Sequence, residues 1–151
     1  REDAFAPAGL PNRFEPGTPH IIGAGSLLRA IEYMESIGGY DEIERIEKDL
    51  VSYTLAKWQE FSLKFPEVKL IGSTREEGRV GVFSFATEQM HIADLAEAFA
   101  ERQICVRAGH HCAEPLMQSL ETSGSIRMSL FLYNTREDID VFFKVFEEIL
   151  L

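Results

Sequence analysis

The stretch Ser125-Ile126-Arg127-Met128-Ser129-Leu130 alternates polar and apolar side chains. Alternation with a period of two marks a strand with one covered face. Ile126, Met128 and Leu130 share that face, and Arg127 and Ser129 share the other. The strand reading runs over 126–131. Just downstream, Thr135 with Asp138 has the spacing that opens a helix. Ile139, Phe142, Phe143, Phe146 and Ile149 then recur at helical intervals. A half-covered strand followed by a one-sided helix reads as a helix layer laid on a sheet.

The same reading extends upstream. Residues 104–107 form a short strand, and Ile92, Leu95, Ala96 and Phe99 mark a helix. Strands over 80–85 and 68–71 are separated by Gly72 and the turn-like Glu76-Glu77-Gly78. Ile43, Ile46, Leu50 and Tyr53 stripe a longer helix, begun by Asp41 with Glu44 and limited by Pro66. Leu27, Leu28, Ile31, Met34 and Ile37 stripe another, which Gly38-Gly39 stops. The order is helix, helix, strand, strand, helix, strand, loop, strand, helix. Without strict alternation it predicts an α+β fold, a small mostly antiparallel sheet of about four strands with helices packed on one face. The first 25 residues hold Pro7, Pro11, Pro16 and Pro19 with Gly9, Gly17, Gly23 and Gly25, the punctuation of irregular chain. The expected division is an irregular segment over 1–25 and a small domain over 26–151. There is no internal repeat.

Composition bounds the rest. The 151 residues carry 15 basic and 25 acidic side chains, a formal charge of −10. A 45% hydrophobic fraction with 11 Phe supplies a core, and a mean hydropathy of −0.10 fits a water-exposed surface. Disorder is excluded on these numbers. Acidity argues against nucleic acid, and no apolar run has the length of a bilayer span. Arg1-Glu2-Asp3-Ala4-Phe5 has no leader pattern. The two cysteines, Cys105 and Cys112, read as free thiols in a reducing cytoplasm. The sequence does not begin with Met, so a piece of a longer protein is expected.

The chemistry concentrates in Cys105-Val106-Arg107-Ala108-Gly109-His110-His111-Cys112-Ala113-Glu114-Pro115-Leu116-Met117, a loop between two strands. Gly109 permits a sharp turn. Two imidazoles precede Cys112 and a cation lies five residues back, a setting that suits an activated sulfur nucleophile. Cys105, beside Val106 in a strand, reads as a buried small hydrophobe. His110, His111 and Cys112 could also be metal ligands. Consecutive side chains diverge, however, and no CxxC or HxxxH spacing occurs, so no metal is expected. Arg107 and Arg127, on strands flanking the loop, suit either a bidentate carboxylate clamp or a solvated face with surface ion pairs. The turn of Arg13-Phe14-Glu15-Pro16-Gly17-Thr18-Pro19 offers N–H groups and a hydroxyl to a phosphate, or is a plain linker turn.

Taken together, the Arg13–Pro19 turn, the Arg107–Met117 loop, Ile126-Arg127-Met128-Ser129 and Tyr133-Asn134-Thr135 resemble the SufS-like cysteine desulfurases, also called selenocysteine lyases. These are class V aminotransferase-type pyridoxal-phosphate enzymes. The motifs stand in the family's order over nearly the whole chain. The resemblance implies that Cys112 accepts sulfur from L-cysteine or selenocysteine as a persulfide, for transfer to a SufE- or SufU-like acceptor and iron–sulfur cluster assembly. It implies that Arg127 clamps the substrate carboxylate and that Arg107 stands nearby. Gly109, His110 and His111 would form the active-site loop. Thr18, with Gly17, would reach the cofactor phosphate of the other subunit of a cytoplasmic homodimer. The short link from Gly109 to Pro115 is closer to the SufS-like branch than to the NifS/IscS branch.

The family's Schiff-base lysine, its cofactor-stacking histidine and its pyridine-pairing aspartate lie N-terminal to the Arg-Phe-Glu motif and have no counterpart here. Lys48, Lys57, Lys64, Lys69 and Lys144 match no motif, and His20 stands where many relatives carry Asn. The implied architecture is the C-terminal small domain of fold-type I pyridoxal-phosphate enzymes plus the segment leading into it, with residues 1–25 at the interface to an N-terminal cofactor domain. The chain alone is expected to be inactive. The alternative is a stand-alone sulfur-carrier or interaction module with no cofactor chemistry.

Overall fold

The structure, a computed structural model, describes residues 6–151. Residues 1–5, with the leader reading made on them, lie outside the described residues. By packing, the chain divides into two compact units, Arg1–Tyr40 and Asp41–Leu151.

The first unit holds a single 3-10 turn, Asn12–Phe14, and helix α1, Ile21–Ser36. The His20 imidazole caps α1, accepting from the Gly23 N–H at 3.2 Å. Gly23 and Gly25 therefore lie inside a helix that the sequence reading began at Leu27. A mid-helix glycine costs only about 1 kcal/mol, which neighbouring good helix formers offset. The expected division at 25/26 cuts this helix, and the packing boundary falls at 40/41 instead. No residue of α1 is buried. Its periodic Leu27 and Leu28 stay more than half exposed, at 62% and 56%.

The second unit is α+β, as expected. Helix α2 (Gly39–Lys64), which begins at the boundary, leads to β1 (Lys69–Ile71) and β2 (Val82–Ala86). There follow α3 (Ile92–Glu101), β3 (Arg107–Gly109), α4 (Glu114–Ser119), β4 (Ser125–Ser129) and α5 (Arg136–Leu150). The sheet order is β1-β2-β4-β3, antiparallel throughout. Strand parity decides which side is covered. Phe83, Phe85, Ile126 and Met128 enter the core. They meet Leu55, Trp58 and Phe61 of α2, Leu95 and Phe99 of α3, and Ile139, Phe142 and Phe146 of α5. Phe85 lies 5.4 Å from Trp58 and 5.6 Å from Phe142, and Phe99 stacks on Phe142 at 5.0 Å, centroid to centroid.

Helix α5 starts where Thr135 and Asp138 placed it, with both halves of the capping box formed. Other boundaries move. Helix α2 begins at Gly39, ahead of Asp41, and its deepest apolar line is Leu50, Val51, Leu55, Trp58 and Phe61, with buried Phe65 just past its end. Ile46 and Tyr53 are only partly buried. Strand β3 lies over Arg107–Gly109 rather than 104–107, because the ladder begins where Arg107 meets Arg127. The stretch read as plain loop contains α4, too short to leave a periodic signal. Arg79 ties the β1–β2 connection, its guanidinium 4.3 Å above the Phe83 ring and donating to the Ser73 and Val82 carbonyls.

Candidate active site

The antiparallel register of β3 and β4 sets Arg107 opposite Arg127, Ala108 opposite Ile126 and Gly109 opposite Ser125. Ser84 of β2 stands opposite Arg127 on its other side. Arg107, Arg127 and Ser84 thus form a row across the face turned away from the core. Arg107 is exposed and Arg127 half-buried. The Arg127 Nε is buried with no hydrogen-bond partner. Like charges directly opposite each other destabilise a sheet pair. An anion between them relieves that repulsion, and a guanidinium fork matches a carboxylate.

The cysteine loop leaves β3 at Gly109, whose φ of 112° needs glycine. At Gly124 (φ 146°) a Cβ would come within 3.3 Å of the Gly109 carbonyl group, so this second glycine closes the base of the loop. His111 and Cys112 are both left-handed, with φ of 56° and 60°. Two consecutive non-glycine residues in that region are costly unless their surroundings fix them. The fixing is visible. The Ala113 N–H donates to the His110 carbonyl at 2.9 Å, and Met117 buries itself to anchor α4. His110 Nε2 lies 3.0 Å from the Ser123 carbonyl. His111 Nε2 lies 3.1 Å from the Ser125 carbonyl and 2.9 Å from its hydroxyl.

A carbonyl only accepts, so His111 carries its proton on Nε2. That leaves Nδ1 as a bare acceptor, buried and without a partner. Burial holds the His111 ring below the ordinary imidazole range. Arg127 adds to the lowering, the Ser125 backbone bond opposes it, and Arg107 and His110 lower it further. Cys112 is exposed, and Arg107 Nη2 donates to its Sγ across a long 3.9 Å contact.

Cys105 is exposed, not buried as its neighbours suggested. Ile104 and Val106 on either side are the half-buried ones, so alternation turns Cys105 outward. Gly17 and Thr18 lie in the first unit, in an exposed stretch between the 3-10 turn and α1. Among the described residues no three His, Cys, Asp or Glu side chains gather to hold a metal, and no helix is long and apolar enough to cross a membrane. Sequence reasoning missed Ser123, Gly124 and Ser125 as the anchorage of the loop. The Thr122-Ser123-Gly124-Ser125 run of small polar residues before a strand was the available signal.

A Schiff-base cofactor needs a lysine. Lys48, Lys57, Lys64 and Lys144 pair with Glu44, Asp140, Glu147 and Glu148 on α2 and α5. Lys69 stands on β1, the strand at the opposite edge of the sheet from β3. No lysine stands on β3, on β4 or in the cysteine loop. The second unit therefore sets two guanidinium groups and a thiol close together, with no lysine amine on the same strands or loop.

Comparison with known proteins fits this inventory. Residues 3–142 match the aminotransferase class-V family. A probable cysteine desulfurase of Halalkalibacterium halodurans is 42% identical over 92% of the chain, and one of Pyrococcus abyssi is 40% identical over 92%. The chain spans about a third of the length of these relatives, 32% and 33%. An apo cysteine desulfurase structure from Thermococcus onnurineus NA1 superposes with a TM-score of 0.85 at 37% identity, covering 99% of this chain and 36% of that one. With its sheet, its cysteine loop and a family match over nearly its whole length, the chain belongs to the aminotransferase class-V family.

Proposed function

We propose that the chain is the cysteine-bearing, C-terminal part of a SufS-like, pyridoxal-phosphate-dependent cysteine desulfurase, with Cys112 as the sulfur acceptor. One observation carries the reading. Arg107 faces Arg127 across β3 and β4 and also reaches Cys112 Sγ at 3.9 Å. A small amino acid with a carboxylate at one end and sulfur at the other suits that combination. The guanidinium pair takes the carboxylate bidentately. The exposed thiol is left for the sulfur.

In the net reaction the Cys112 sulfur bonds to the sulfur of L-cysteine. The substrate Cβ–S bond breaks and its electron pair stays on carbon. Protonation of that carbon gives L-alanine, and Cys112 is left as a persulfide. L-selenocysteine offers the same handles. A SufE- or SufU-like protein then takes the sulfur towards iron–sulfur clusters. Pyridoxal phosphate, the cytoplasmic homodimer and the contact of Gly17 and Thr18 with the cofactor phosphate belong to the same proposal. So does the assignment of residues 1–25 to the interface with a cofactor domain. The absence of a lysine beside the loop supports a division of labour, in which another portion carries the cofactor and this chain alone is inactive.

Intact-mass spectrometry tests the proposal. The chain is incubated with pyridoxal phosphate and L-cysteine, alone and with a cofactor-binding portion from a relative supplied as a second chain. A sulfur gained on Cys112 only in the second case, and never in Cys112→Ala, is the expected result. No gain in either case overturns the desulfurase reading. Gain by the chain alone overturns its dependence on a separate portion.

A further inference from the structure

We infer that His110 and His111 are positioning residues, which hold Cys112 in its exposed pose by tethering its loop to residues 123–125 at the start of β4. The inference deepens the reading of Cys112 as the reacting thiol and rests on it. Side chains of consecutive residues diverge, and here both find carbonyl acceptors on one short segment. His110 Nε2 lies 3.0 Å from the Ser123 oxygen, and His111 Nε2 lies 3.1 Å from the Ser125 oxygen. That segment is itself fixed. Ser125 is fully buried and registered against Gly109, and the Thr122 hydroxyl donates to the Gly124 carbonyl at 2.9 Å.

The tethers answer a specific need. The left-handed pair His111–Cys112 costs free energy, and such a pair persists only where its surroundings over-determine it. Backbone closure from Ala113 to His110 supplies one constraint. The two imidazoles supply the others, His110 from the residue before the pair and His111 from within it. Because each Nε2 must present its proton to a carbonyl, neither Nε2 can accept a proton from sulfur while its tether holds. The pair is thereby separated from acid–base work at those atoms and given to geometry.

Alkylation by iodoacetamide tests this on the 151-residue chain, with no cofactor or substrate present. Cys105, exposed and outside the loop, is the internal reference. Glutamine keeps an N–H donor near the Nε2 position, and asparagine does not. In His111→Asn the Cys112-to-Cys105 rate ratio should fall about fivefold, the population shift expected for one lost hydrogen bond. In His111→Gln it should recover to within about twofold of the parent, because the donor is restored. The His110→Asn and His110→Gln pair should repeat the pattern. Should His111→Asn unfold, seen by circular dichroism, the exposed His110 pair decides. A ratio that stays level or rises in the asparagine variants overturns the inference, as does glutamine behaving like asparagine. Since the readout is alkylation, it stands or falls separately from sulfur uptake.

Discussion

The two faces of the sheet use the same strands for opposite ends. On the covered face Phe83, Phe85 and Ile126 are fully buried among aromatic rings from three helices. On the other, Ser84, Arg127 and Arg107 stand in a row beside the cysteine loop. The covered face is built of apolar rings and leaves one buried polar atom without a partner, Arg79 Nε beside the Phe83 ring. The open side leaves two buried polar atoms, Arg127 Nε and His111 Nδ1, with no partner. Each such atom costs about 1–3 kcal/mol. A shift of one residue along a strand thus passes from groups that hold the fold to groups whose partners have to come from elsewhere.

Substitutions on each face should separate along that line. Phe85→Ala should lose about 3–5 kcal/mol of stability in urea unfolding, the range for emptying an aromatic core site. A loss below about 1 kcal/mol would show that the covered face does not hold the fold. Arg127→Met should do the reverse. In the complete enzyme kcat/KM for cysteine should drop about 10–100-fold, as for a lost charge-assisted contact. Urea unfolding of the same variant should stay within about 0.5 kcal/mol or improve, since a like-charge neighbour and an unpartnered donor are removed. A stability loss matching that of Phe85→Ala would break the comparison.

Two smaller effects sharpen it. Thr135→Ala, which removes one half of the α5 capping box, should cost about 1 kcal/mol by the same urea measurement and leave Cys112 alkylation unchanged. The smallest effect is in pH. The folded His111 titrates below its ordinary 6.5, so the unfolded chain binds that proton first as pH falls. Stability from this group is full above about 6.5 and declines as pH falls through the lowered folded value. Urea midpoints over pH 5 to 8, roughly the span in which histidines titrate, should show a shallower slope in His111→Gln.

The covered face was legible in the sequence because it is periodic. Ile126, Met128 and Leu130 alternate, and Ile139, Phe142, Phe143 and Phe146 step round a helix, so parity and pitch place them directly. Arg107 and Arg127 followed from the same parity. Their opposition followed only once the register was known, because sequence does not say which strands are neighbours. Helix α1 was located but begun late, since glycine is read as punctuation whether or not a cap such as His20 carries the helix through it. The exposure of Cys105 hung on which of 104, 105 and 106 turns inward, which is undetermined in a run of three small or apolar residues. The histidine tethers left only the small polar run over 122–125 as a signal, as a ring nitrogen meeting a backbone carbonyl fourteen residues away leaves no pairing pattern in side-chain types.

The arginine row has a consequence for selection between ligands. A guanidinium pair reads a carboxylate, and the carboxylate is the part that L-cysteine and L-alanine share. If the pair clasps the substrate as proposed, it grips the product equally well and gives no preference between them. Discrimination then falls entirely to the sulfur end, where a left-handed loop holds one thiol in place. Alanine becomes a built-in competitor for the clamp. On the proposed reaction, removal of the persulfide, not loss of grip on what remains, would then keep the chemistry moving forward.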